Sequence, residues 1–178
     1  VFHMQGGVSV TYNDPRRFGF MTLFETAAED RVAFLEGLGP EPDSNAFSGP
    51  ALAAAFSGRR SPVKAGLLDQ LVVAGLGNIY VCEALWRARL SPKRLCANTT
   101  GVRAERLAAA VRAVIGEAIA AGGSTLRDYA GADGAMGCFL HRFDVYGREG
   151  EPCRRVCGPV KRLVQSNRST FFCPACQR

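Results

Sequence analysis

Four of the seven cysteines, Cys153, Cys157, Cys173 and Cys176, fall within 24 residues in the pattern C-x3-C-x15-C-x2-C. Each pair lies in a turn-forming stretch, EPCRRVCGP or FFCPACQR. Two such turns bring four thiolates toward one tetrahedral centre, and the expected ligand is a single structural Zn2+. Two disulfides are the alternative; they suit an oxidising compartment, and the odd cysteine total argues against a disulfide framework. The remaining three, Cys82, Cys96 and Cys138, read as small buried hydrophobes. A second pattern, Gly75-Leu76-Gly77-Asn78, precedes an apolar helical stretch. Asn78 reads as an N-cap, and an exposed helix start with its positive dipole end is suited to a phosphate. On its own this pattern is equally a simple cap.

These residues must be positioned by a chain of 178 residues that is 47% hydrophobic and 21% charged, enough for a buried core. No apolar run reaches membrane-spanning length and the start lacks a signal-peptide pattern, so the reading is a soluble, cytoplasmic protein without a membrane partner. The net charge is +6, and residues 148 to 178 hold seven Lys/Arg against two Glu, or +5 of it. Such a basic end suits a phosphate backbone, or is simply a solvated face.

Residues 1 to 24 break into short apolar pieces (VFHM, VSVTY, FGFMTLF) separated by Gly6-Gly7 and Asn13-Asp14-Pro15, the pattern of strands and turns. From about Glu29 a helical period (Val32, Phe34, Leu35, Leu38) runs to Gly39-Pro40-Glu41-Pro42, which reads as a linker. Helices are expected around 49 to 56, 62 to 73, 78 to 88 and 100 to 121. The last carries the stripe Leu107, Val111, Val114, Ile115, Ala118, Ile119 and ends at Gly122-Gly123. The fold class is α+β. Its expected divisions are 1–40, the C-terminal part of a β-sandwich; 41–140, a helical DNA-binding domain with a lid loop; and 141–178, a zinc finger.

Six motifs stand in one order: Asp14-Pro15-Arg16-Arg17-Phe18-Gly19, Leu67 to Tyr80, Ser91-Pro92-Lys93-Arg94, Gly122 to Tyr129, Val145-Tyr146-Gly147-Arg148, and a four-cysteine finger containing Arg168-Ser169-Thr170-Phe171-Phe172-Cys173. In this order they resemble formamidopyrimidine-DNA glycosylase, over essentially the whole chain. The resemblance implies a β-sandwich domain, a helix-two-turn-helix domain and a C-terminal β-hairpin zinc finger, with damaged duplex DNA held between. It further implies removal of 8-oxoguanine and formamidopyrimidines followed by strand cleavage at the abasic site, by a monomer working on the bacterial nucleoid. By position it makes Asn78, Lys64 and Arg168 phosphate-binding residues. Arg16 and Phe18 become the residues inserted into the gap left by the extruded base, and Arg17 a phosphate contact. The loop from Ser124 to about Gly137 becomes the lid over that base. Outside the resemblance, Lys64 and Arg168 read as solvated surface charges and Phe18 as a half-exposed loop anchor.

Two departures from the family pattern stand out. The first cysteine pair is separated by three residues instead of two, and the next interval is fifteen instead of sixteen, so the second ligand has slid by one position. The family nucleophile, an N-terminal proline followed by glutamate, has no counterpart: the chain starts Val1-Phe2, so no catalytic residue is assigned and the chain is expected to be the C-terminal part of such an enzyme. The alternatives are a non-catalytic damaged-DNA-binding fragment, or an endonuclease VIII-like enzyme acting on oxidised pyrimidines, against which Val145-Tyr146-Gly147-Arg148 and the long lid region speak. A zinc-ribbon RNA-binding protein would explain the finger but not Asp14 to Gly19 or Leu67 to Tyr80.

Overall fold

The computed structural model describes residues 1–14, 17, 19–27, 32–123 and 143–178. These form two compact units, Val1–Glu36 and Gly37–Arg178.

In the first unit β1 (Phe2–His3) pairs antiparallel with β2 (Ser9–Val10), with Phe2 opposite Val10. Gly6 and Gly7, at φ of 88° and 80°, supply the left-handed backbone that reverses the chain between them. A second reversal follows at Asp14, whose carboxylate accepts the Gly19 N–H at 2.6 Å and whose carbonyl accepts that of Arg17. The alternating stretch expected to form a strand over 18 to 24 does not do so: its described residues, 19–24, lie outside regular structure. A strand is defined by its hydrogen-bonded neighbour, and apolar alternation alone supplies none. Phe20 (67%), Met21 (59%) and Leu23 (100%) stay exposed as a result. The helix expected from Glu29 to Leu38 is likewise a single turn where described, with the Leu35 and Glu36 N–H groups bonded to the Val32 carbonyl. Gly37 at φ 77° ends it.

Among its described residues the second unit has four α-helices and a hairpin. Helix α1 (Gly49–Phe56) is capped by the Ser48 hydroxyl, which accepts the Ala51 N–H. Helix α2 (Val63–Leu68) is shorter than its apolar pattern suggests. The Asp69 side chain accepts the Leu71 N–H at 3.0 Å and its carbonyl those of Val72 and Val73, which diverts the chain into turns. Helix α3 (Asn78–Arg87) follows, and α4 (Val102–Ala120) packs against both α1 and α3. Leu107, Val111, Val114 and Ala118 of α4 are buried against Leu52, Phe56, Leu67, Val81 and Leu85. The stripe is narrower than expected, since Ile119 is 67% exposed and Ile115 only half-buried.

The proline-rich segment after Gly39 is no free linker. The Gly39 N–H donates to the Gln70 carbonyl, the Ala74 N–H donates to the Pro40 carbonyl, and Pro42 is buried. A Cβ on Gly39 would lie 2.5 Å from the Val72 backbone, so only glycine permits this approach.

At the C-terminus β3 (Lys161–Gln165) and β4 (Arg168–Phe172) form an antiparallel hairpin. Its two-residue turn places Ser166 and Asn167 at φ 48° and 58°, the pairing of left-handed residues that matches strand twist. Strand β4 packs against α3, and Cys82, Trp86, Val145, Cys153, Val160 and Cys173 form a second apolar cluster with Phe171 of β4 against it. No described helix is long and apolar enough to cross a membrane.

Candidate nucleic-acid interface and metal centre

The turns after α2 and the start of α3 create one wall of a cavity of about 400 Å3, and the hairpin supplies the other. Gln70, Gly75, Gly77, Asn78 and Arg168 line it. Gly75 takes φ 73° at the tip of the turn, and its N–H is held by the Gln70 side chain at 2.8 Å. Gly77, not Asn78, is the N-cap of α3, and it offers no side chain to occupy the helix start. Asn78 is the first helical residue. Its amide donates to the Ser169 carbonyl at 3.0 Å and to the Tyr146 hydroxyl at 3.4 Å, while its buried Oδ1 has no partner among the described residues. Arg168, exposed on the first residue of β4, lines the same cavity. An uncapped helix start beside a guanidinium is an anion-binding arrangement.

Lys64 is not a solvated lysine: it is fully buried. Its ammonium donates to Thr170 Oγ1 at 2.7 Å and to the Ser169 carbonyl at 3.3 Å. Burial pushes its pKa below the ordinary lysine value, the nearby Arg168 charge acts the same way, and the Cys82 thiol opposes them. The Ser169 carbonyl is therefore shared by Lys64 of α2 and Asn78 of α3, and it lies next to Arg168 in the chain. Arg17, at φ 55°, is exposed in the first unit. Arg16 and Phe18, the loop from Ser124 to Gly137, and Cys138 lie outside the described residues.

Several positioning residues carry no sequence signal of their own. Glu83 is buried at 1% exposure, and its carboxylate accepts the N–H groups of Asp144, Val145 and Tyr146 at 2.9 to 3.0 Å. Burial raises its pKa and the three N–H bonds pull it back down. The clamp fixes Tyr146, whose ring meets Phe143 and Phe171 edge-on at 5.8 and 4.9 Å. Glu83 falls on a helix among apolar residues, where a carboxylate reads as a surface group. Only its burial distinguishes it.

The four cysteine sulfurs of the C-terminal segment lie within 4.8 Å of one another. Cys153 and Cys176 are 4.0 Å apart, and Cys157 and Cys173 are 3.5 Å apart. Four ligands at ordinary zinc–sulfur distance around a tetrahedron stand about 3.8 Å apart, so the cluster fits a metal of that kind. All four are free thiols. The indole N–H of Trp86 donates to Cys153 Sγ at 3.3 Å. Arg155 stacks over the Trp86 ring at 3.8 Å, donates to Cys176 Sγ at 3.6 Å and to the Trp86 and Arg87 carbonyls at the end of α3. Such bonds orient the ligands and spread their charge. Gln177 completes the second knuckle, accepting the Cys173 N–H at 2.7 Å and donating to the Leu90 carbonyl. The displaced second cysteine is accommodated at Val156, a β-branched residue at φ 54°, followed by Gly158 at φ 139°.

Known proteins share this arrangement. The formamidopyrimidine-DNA glycosylase H2TH domain matches residues 38–130. The formamidopyrimidine-DNA glycosylase of Brucella ovis is 58% identical over 185 residues, covering 99% of this chain and 63% of its own length. Among solved structures, the MutM (Fpg) protein of Thermus thermophilus is 47% identical with a TM-score of 0.84, covering 92% of this chain and 62% of that one. A G226P mutant of the Lactococcus lactis enzyme, in complex with Fapy-dG containing DNA, is 31% identical with a TM-score of 0.79, covering 86% of this chain and 56% of that one. The chain thus spans less than two thirds of the length of the curated relatives it matches.

Proposed function

The chain belongs to the formamidopyrimidine-DNA glycosylase family, and from that premise we propose that it supplies the DNA grip of a base-excision repair glycosylase and abasic-site lyase acting on oxidised purines. The observation that carries the reading is the convergence of Asn78 and Arg168 on one cavity, with the Ser169 carbonyl locking the two elements together. A phosphate in that cavity meets the uncapped start of α3 on one side and the Arg168 guanidinium on the other. Lys64 positions this pair by holding the hairpin to α2, in place of touching the phosphate itself. Arg16, Arg17 and Phe18 are assigned to the gap left by the extruded base, Arg17 on the backbone beside it. Complexes of the relatives with Fapy-dG containing DNA support an oxidised purine as the target.

Cys153, Cys157, Cys173 and Cys176 would hold one Zn2+. When bound, the ion supplies cross-linking of the two knuckles and no reaction chemistry, because a site closed by four thiolates leaves no open position. The hairpin that presents Arg168 is then rigid. The protein works as a monomer in the cytoplasm, on duplex DNA.

The test is equilibrium binding of the full chain to a duplex bearing a stable abasic-site analogue, across a salt series. Arg168→Ala is expected to weaken binding about tenfold and to lower the salt slope by about one unit. An unchanged slope would remove Arg168 from the phosphate backbone and overturn the reading.

A further inference from the structure

The four cysteines of the metal centre are chemically unequal. Cys153 and Cys173 are buried at 1% and 0% exposure, and Cys176 is partly buried. Cys157 is exposed. The sulfurs also differ in what donates to them. Cys153 accepts the Trp86 indole N–H and Cys176 accepts the Arg155 guanidinium. Both bonds stabilise the thiolate and lower its intrinsic nucleophilicity. Among the described residues no such bond reaches Cys157, whose sulfur lies 3.5 Å from that of Cys173. The residue before it, Val156, is 90% exposed and holds a left-handed backbone that a β-branched side chain disfavours. Cys157 thus stands exposed beside a left-handed Val156, while Cys153 and Cys173 are buried and Cys176 is partly buried.

We propose that Cys157 is an oxidant-sensing position of the metal centre, the thiolate at which a peroxide first attacks and through which the metal is released. The inference rests on the four-thiolate metal reading above. In the first step the Cys157 thiolate attacks one oxygen of hydrogen peroxide and the O–O bond breaks. Sulfur is oxidised to the sulfenic acid, peroxide is reduced, and hydroxide leaves and is neutralised by the buffer. In the second step the Cys173 thiolate attacks the Cys157 sulfur, forming the disulfide and expelling the sulfenic oxygen as a second hydroxide. Two of four ligands are then lost to the metal, and Cys153 and Cys176 alone do not retain it. Cys173 directly follows β4, so the event loosens the hairpin that presents Arg168. A thiol reductant and fresh Zn2+ reverse both steps.

The experiment treats the zinc-loaded full chain with less than one equivalent of hydrogen peroxide. Zinc release is followed with a colorimetric indicator, and each thiol is read by differential maleimide labelling and peptide mass spectrometry. The expected result is loss of the Cys157 thiol roughly fivefold faster than those of Cys153 and Cys176, a Cys157–Cys173 linkage, and one zinc released per disulfide. Cys82 and Cys96 serve as buried internal controls, since burial holds the Cys82 thiol up at about 11. Oxidation beginning at Cys153 or Cys176, or spread evenly over the four, would overturn the proposal. A protein that holds no zinc as prepared would instead overturn the metal reading, while the rank order of the thiols, taken from the same peptides, still decides the reactivity of Cys157. Loss of zinc and of the Cys157 thiol with unchanged DNA affinity would overturn the role given to the hairpin and leave the oxidation site standing.

Discussion

A lysine whose ammonium donates to Thr170 Oγ1 and the Ser169 carbonyl from a site without solvent access joins α2 to the hairpin, and its charge is engaged there. Lys64→Ala leaves the Thr170 hydroxyl buried without its partner and should cost about 1–3 kcal/mol of stability, measured by urea unfolding. Its DNA-binding salt slope should stay at the parent value; a slope lower by about one unit would show that the ammonium reaches phosphate after all. Asp69 makes a different residue-scale case. The Arg59 guanidinium, bonded at 2.7 Å, and the Leu71 N–H hold its carboxyl below the ordinary value of 3.8. A depressed carboxyl stabilises the fold fully above its unfolded value and loses that contribution as pH falls through the folded one. Asp69→Asn should therefore lower stability at pH 7 by about 0.5 kcal/mol for a half-exposed pair, read as a small fall in melting temperature. At pH 2.5 the difference between parent and variant should narrow; a gap that widens on acidification would reverse the assignment.

At the scale of elements, the turns between α2 and α3 and the β3–β4 turn set where Asn78 and Arg168 meet. Both depend on local chemistry, Asp69 and Gly75 in one and Ser166-Asn167 in the other. The second is improvable. Replacing Ser166-Asn167 by Asn-Gly supplies the residues that accept two successive left-handed positions most readily, and should stabilise the hairpin by about 0.5–1 kcal/mol. Slower amide exchange across Lys161–Phe172 would register it. The finger is tied to α3 chiefly by Trp86, which fills the second core, donates to Cys153 and carries Arg155 on its face. Trp86→Ala should cost about 3–5 kcal/mol and speed zinc loss to a chelator. A variant with the parent zinc-release rate would mean that the knuckles hold the metal without help from the helix.

Across the whole molecule, the helical unit has a core of its own from Phe47 to Ala118, whereas the finger depends on a small cluster shared with α3. Chelation should therefore collapse amide protection over residues 145–178 while α1 and α4 remain protected, measured by hydrogen exchange. Loss of protection throughout would show the two to be one cooperative unit. The elements written in local pattern were legible beforehand: α1 over 49–56, the long apolar α4 stopping just before Gly122-Gly123, and a four-cysteine cluster defined by residue type and spacing. What the chain's own letters could not carry were the features that depend on a partner. The apolar stretch at 19–24 has alternation without a neighbouring strand, the proline segment at 39–42 is stitched to the turn at 70–74, and α2 stops at Asp69 because a side chain competes for the backbone. By itself the sequence determined the four-cysteine cluster, the helix order and the family, because each is fixed by residue identity at short range. Tertiary structure alone decided that Lys64 is a buried tie, that Glu83 clamps three N–H groups, and that Cys157 stands exposed among covered thiolates. Burial and hydrogen-bond geometry depend on which distant segments close over a residue, and no local period encodes that.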